Sequence, residues 1–150
     1  MTKEEYLKEI GRACFQAGDY NKAMEYFERA IKLKPDFAEV YELIGFTYHF
    51  SGDYDTAIRF YKTAIKYQPD FPEAYYDMGG AYCKQGNYQT AIKCYENAIK
   101  YKPDYLEAYF SMGNAYQHIG DYNAVVRCVK KAAQLGSEPA RQWLIGNGLL

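Results

Sequence analysis

Two histidines and four cysteines are all that 150 residues offer of the side chains that most often hold transition metals. Cys14, Cys83, Cys94 and Cys128 form no C-x-x-C pair and match no zinc spacing. They fall inside helical patterns, so they are expected to be reduced, small hydrophobes without disulfides. His49 and His118 lie far apart in the chain, and no H-x-x-x-H, G-x-S-x-G or glycine-rich phosphate loop occurs. The sequence therefore predicts no enzyme, no metal and no cofactor. Charge of one sign is also lacking. The formal net charge is −1, which gives little support to nucleic-acid or anionic-membrane binding, both of which want a basic patch. No run approaches the ~20 apolar residues of a membrane span. The opening MTKEEYLKEIG has no basic segment leading into an apolar one, so a cytoplasmic location is expected. Apolar content of 49% and charged content of 25% are ordinary for a soluble fold, with a mean hydropathy of −0.51.

What the chain does have is tyrosine, 18 residues of it, and repetition. GDYNKAMEYFERAIKLKPDF begins at Gly18, GDYDTAIRFYKTAIKYQPDF at Gly52, GNYQTAIKCYENAIKYKPDY at Gly86 and GDYNAVVRCVKKAAQLGSEP at Gly120, a period of 34 residues. A fixed period of this size marks a helical repeat array, and it multiplies tyrosine at fixed repeat positions. Within a repeat, Tyr41, Ile44 and Tyr48 follow helical spacing, as do Tyr54, Ala57, Ile58, Tyr61, Ala64 and Ile65. Gly52 suits a left-handed helix stop, Asp53 an N-cap, and Pro69 forbids continuation. Helices are expected at 3–17, 20–33, 37–51, 54–67, 71–85, 88–101, 105–119 and 122–135. Thr2-x-x-Glu5 has capping-box form, and Asp36-x-x-Glu39, Asp70-x-x-Glu73 and Asp104-x-x-Glu107 resemble it. That placement accounts for the repeated glutamates without a carboxylate array.

Gly11, Gly45, Gly79 and Gly113 recur in the first helices, where each costs ~1 kcal/mol against alanine, so close interhelix packing is expected there. Ala30, Ala64, Ala98 and Ala132 recur in the second helices. The tail SEPARQWLIGNGLL reads as a terminal helix at about 138–147, with Ser137 as N-cap, Pro139 in the first turn, and glycines at its end. No such extra helix precedes residue 3, which leaves the N-terminal end as a candidate for self-association.

The repeat resembles the tetratricopeptide repeat. Repeat three carries the motif as Tyr75, Met78-Gly79, Tyr82, Ala91, Tyr95, Ala98 and Pro103; repeat two as Tyr41, Ile44-Gly45, Tyr48, Ala57, Tyr61, Ala64 and Pro69. Repeat one departs at Leu7 and Cys14, and repeat four at Val125, Val129 and Ser137. The resemblance implies an all-α fold, a right-handed α-solenoid of four helix pairs at 4–37, 38–71, 72–105 and 106–139 plus the capping helix, in one domain spanning 1–150. It also implies a non-catalytic protein-binding adaptor or scaffold. A partner's peptide segment would lie along the first helices, on Lys8, Arg12, Phe15, Glu42, Phe46, His49, Phe50, Tyr76, Lys84, Phe110, Asn114 and Gln117. Phe46, Tyr76 and Phe110 would supply aromatic pockets, whereas Phe15 and Phe50 have the alternative of folding back over a neighbouring helix. Asn114 would orient a ligand backbone, and Lys8 with Arg12 would form a basic spot. One branch of the family clamps the acidic tails of cytosolic chaperones. The matching positions here are Lys8, Arg12, Leu43, Glu73 and Asp77; only Lys8 agrees, so that partner is not expected. The mixed charge of this face also argues against the RNA reading of a related repeat class. The alternatives are an oligomeric scaffold stacking through its N-terminal end, and a small assembly chaperone for apolar subunits.

Overall fold

The computed structural model describes residues 1–150. It consists of α1 (Lys3–Gln16), α2 (Tyr20–Leu33), α3 (Ala38–Ser51), α4 (Tyr54–Tyr67), α5 (Pro72–Lys84), α6 (Tyr88–Tyr101), α7 (Leu106–Ile119), α8 (Tyr122–Gln134) and α9 (Glu138–Gly146), with no strand. Each boundary lies within one residue of the sequence expectation. No helix is long and apolar enough to cross a membrane. The packing divides the fold into two compact units, Met1–Ala74 and Tyr75–Leu150.

In the first unit α1 packs on α2 and α3 on α4, and α3 also meets α1 and α2. The core joins Leu7, Ala23, Phe27, Ala30, Phe37, Val40 and Ile44. The helix pairs cross at the recurring glycines. A Cβ on Gly45 would come within 2.8 Å of the fully buried Tyr61 ring and 3.1 Å of the Ala57 carbonyl oxygen. The crossing therefore leaves no room for alanine, which is the reason for a glycine there. The turn that reverses the chain is read from Gly52, at φ +87, whose successor Asp53 donates its N–H to the Tyr48 carbonyl at 3.0 Å. Asp53 then caps α4 by accepting from the Thr56 N–H at 3.1 Å. Asp19, Asn87 and Asp121 do the same for α2, α6 and α8.

The second unit packs α6 on α7, α7 on α8 and α8 on α9. One cluster gathers Ala91, Ile92, Tyr95, Met112, Ala115 and Cys128; a further cluster closes α8 on α9 through Val125, Val129, Ala132, Ala140 and Leu144. Ser137 caps α9 through the Ala140 N–H at 3.2 Å, and Pro139 sits in its first turn, as the tail predicted.

The capping boxes divide. Thr2 and Glu5 form a complete one on α1. For α3 and α7 the expectation fails: the N-cap positions are Phe37 and Tyr105, and neither helix has a side-chain cap bond. Both rings are buried, and both are covered by a lysine ammonium, Lys34 at 4.7 Å from Phe37 and Lys102 at 4.4 Å from Tyr105. Burying an aromatic ring is worth ~1.5–3 kcal/mol, against ~1 kcal/mol for an aspartate cap. The rings therefore set where these helices begin, and Asp36 and Asp104 fall one residue outside.

The tyrosine excess has a structural use. Tyr41 and Tyr109 donate their hydroxyls to the carbonyls of Pro35 and Pro103, at 2.9 and 3.3 Å, tying helix starts to the preceding turns. Tyr41 stacks on Tyr67 at 5.4 Å, and Tyr75 on Tyr101 at 5.8 Å.

Candidate functional site

In the first unit, α3 presents Phe46, His49 and Phe50 one turn apart, so they share a face. Phe15, in the last turn of α1, lies 5.5 Å from Phe46 and 5.8 Å from Phe50 between ring centroids. Tyr20, at the start of α2, joins them at 5.1 Å from Phe15 and 5.3 Å from Phe50. Phe15 and Phe50 thus turn toward neighbouring elements, yet Phe50 stays 63% exposed and Phe46 37%. Soluble surfaces seldom cluster aromatics this way without a recognition role. Two clefts flank the cluster. One, about 200 Å³, lies against Arg12, Phe15, Leu43 and Phe46. The other, about 460 Å³, lies against Tyr20, Met24, Tyr48 and Phe50. Sequence reasoning missed Tyr20. The signal was present in the repeated Tyr20, Tyr54, Tyr88 and Tyr122, each just past a turn.

The polar positions of this unit differ in availability. Lys8 forms an ion pair with Glu39 and sits 3.5 Å from the Glu9 carboxylate, with its ammonium 5.3 Å over the Phe37 ring. Its side chain is only 13% exposed, so it bridges α1 to α3. Arg12, 3.9 Å from Glu9, is the exposed cation of the basic spot. Glu42 is half-buried, and His49 meets Tyr54 edge-on at 5.2 Å.

In the second unit, Phe110, Asn114 and Gln117 form one exposed row along α7. Tyr76 is half-buried against Tyr95 and Tyr105, at 5.7 and 5.0 Å, with its hydroxyl 3.3 Å from that of Ser111. It floors a cleft of about 380 Å³ that continues over Phe110 to the turn before α9. The tail placed Ser137 and Pro139 at the start of α9, but did not show that the turn Gly136 to Pro139 would border a cleft with Tyr76 and Phe110. Lys84 is exposed in the last turn of α5. His118 stacks flat on Tyr88 at 4.2 Å.

Cys128 is buried and Cys83 half-buried, which disfavours the thiolate at both. Burial pushes the Cys128 thiol up to about 11 and raises Cys83 as well. Tyr95, whose hydroxyl lies 3.5 Å from the Cys83 sulfur, is raised chiefly by burial. No three His, Cys, Asp or Glu side chains gather in an arrangement that could hold a metal ion.

Antiparallel helix pairs with glycine crossings, and exposed aromatics on the first helix of a pair, define a helical-repeat protein-interaction fold. The chain belongs to the tetratricopeptide repeat family: a TPR repeat model matches residues 11–52, 50–86 and 79–120, and a tetratricopeptide repeat model matches 106–135. It is similar to a crystal structure of MamA at 29% identity and TM-score 0.82, over 93% of this chain and 81% of that one. A second crystal structure of MamA protein gives 29% identity and TM-score 0.80, over 93% and 76%. A MamA RS-1 ArsTM double mutant, at 21% identity and TM-score 0.79 over 91% and 76%, shares the fold. The comparison with curated proteins gives no match. Family and fold class are thus those that the motif implied, and the chain is a protein-interaction or scaffold module.

Proposed function

We propose that the chain is a non-catalytic adaptor or scaffold in the cytoplasm that holds a peptide segment of a partner on the faces of its first helices. The observation that carries this reading is the aromatic cluster of half-buried Phe15 with exposed Tyr20, Phe46 and Phe50, with a cleft on each side. Phe110 and the row Asn114 and Gln117 offer a second surface of the same kind in the other unit. Aromatic side chains anchored in clefts supply most of the affinity in such interfaces, and polar neighbours fix orientation. Arg12 on α1 and Lys84 on α5 are exposed cations, Glu42 is half-buried on α3, and Lys8 is held by Glu39.

The test is capture of partners from a proteome by the purified chain beside the Phe46→Ala/Phe110→Ala variant. The variant should lose at least about tenfold in capture while its helicity persists. Equal capture by both would sink the assignment.

Tyr6, 58% exposed on α1, favours a second reading, self-association through the face of α1. Sedimentation separates the two readings, because a monomer at tens of micromolar contradicts self-association.

A further inference from the structure

The cleft of the second unit has a property that the aromatic surfaces lack. Its apolar lining comes from Tyr76, Leu106, Phe110 and Pro139, and its only charged lining residues are Glu107 and Glu138. No lysine or arginine borders it. Its other polar side chains are already engaged. The Ser137 hydroxyl accepts the Ala140 N–H, and the Tyr76 and Ser111 hydroxyls meet each other. Glu138 uses one carboxylate oxygen to accept from the Gln142 amide at 2.7 Å and keeps the other. Glu107 forms no ion pair. Both glutamates lie in the first turns of their helices, where a negative charge complements the backbone dipole. That placement explains a glutamate in either first turn; it does not require both to open onto one apolar cleft.

We infer that this cleft is a specificity pocket for a basic side chain, arginine or lysine, of the bound segment. The inference rests on the peptide-binding reading and adds to it the charge that the chain selects. An arginine or lysine lays its methylene stem on Leu106, Phe110 and Pro139 and carries its cation to the two carboxylates and the aromatic faces. A wholly apolar side chain would fill the same space but leave the two carboxylates without a cation. An acidic side chain would be repelled. At about 380 Å³ the open cleft has room for one such side chain.

The experiment is selection of a random-peptide display library on the full chain, followed by affinity measurement of the enriched peptides on the chain and on Glu107→Gln/Glu138→Gln. The expected result is a shared arginine or lysine beside an apolar residue. Affinity should fall about tenfold on the double variant and weaken with added salt. Circular dichroism confirms that the variant is folded, and Glu107→Gln alone serves in its place should the double variant not fold. Enriched peptides without a shared basic residue, or equal affinity for the variant, would overturn the inference and leave the peptide-binding reading standing. Enrichment of no peptide would overturn both.

Discussion

A single methyl group at position 45 would press on the Tyr61 ring at 2.8 Å, and that ring has nowhere to go. At position 113 the nearest atom is the Cys128 Cβ at 3.3 Å, because Val129 stands where the other repeats have an aromatic. The two glycines therefore answer differently to alanine. Gly45→Ala should cost about 1–2 kcal/mol net, overpacking of ~2–3 kcal/mol being partly offset by ~1 kcal/mol of helix propensity. Gly113→Ala should be near neutral. Urea unfolding measures both, and equal losses would contradict the packing account. Burial of Cys128 has its own consequence. Its folded pKa of about 11 exceeds the ordinary thiol value of about 8.5, so the folded chain keeps a proton that the unfolded chain releases. Its contribution to stability is full below about 8.5 and is lost as pH rises toward about 11. Tyr95, raised by the same burial, acts in the same direction. The urea midpoint of the natural chain should therefore fall between neutral and alkaline pH, and fall less for Cys128→Ala.

At the scale of the helix, the starts separate into two kinds. Asp53 caps α4 with a bond to the Thr56 N–H, and hydrogen bonds to Thr56 hold its carboxyl below the usual carboxylate range. Asp53→Ala should lower the thermal midpoint through the lost cap. Asp36 stands beside a helix whose start is fixed by the buried Phe37, so Asp36→Ala should stay within ~0.5 kcal/mol. Thermal unfolding of the two variants tests the contrast; equal losses would restore Asp36 as a cap. This difference marks the limit of what was legible. Glycine, proline and apolar spacing placed each boundary within one residue, because these signals act locally through backbone conformation. Whether Asp36 or Phe37 begins α3 depends on a ring reaching the core under Lys8 and Lys34, and the same ring contact was hidden at Tyr105.

At the scale of the molecule, the 34-residue period revealed the family and the helix pairs, because each copy repeats the same packing demand. The proposed recognition surface was legible only in part. Helical position alone put Phe46, Phe50 and Phe110 on exposed faces. It said nothing of Tyr20 closing on Phe50, of Glu39 taking the Lys8 ammonium, or of Tyr76 turning inward against Tyr95 and Tyr105. Those outcomes depend on which side chains from neighbouring helices arrive first. The most direct test of the central claim is hydrogen exchange on the full chain with and without its captured partner segment. The account predicts added protection on α1 and α3 around Phe15, Phe46 and Phe50, and on α7 around Phe110 and Asn114. Protection confined to α2, α4, α6 and α8 would contradict it.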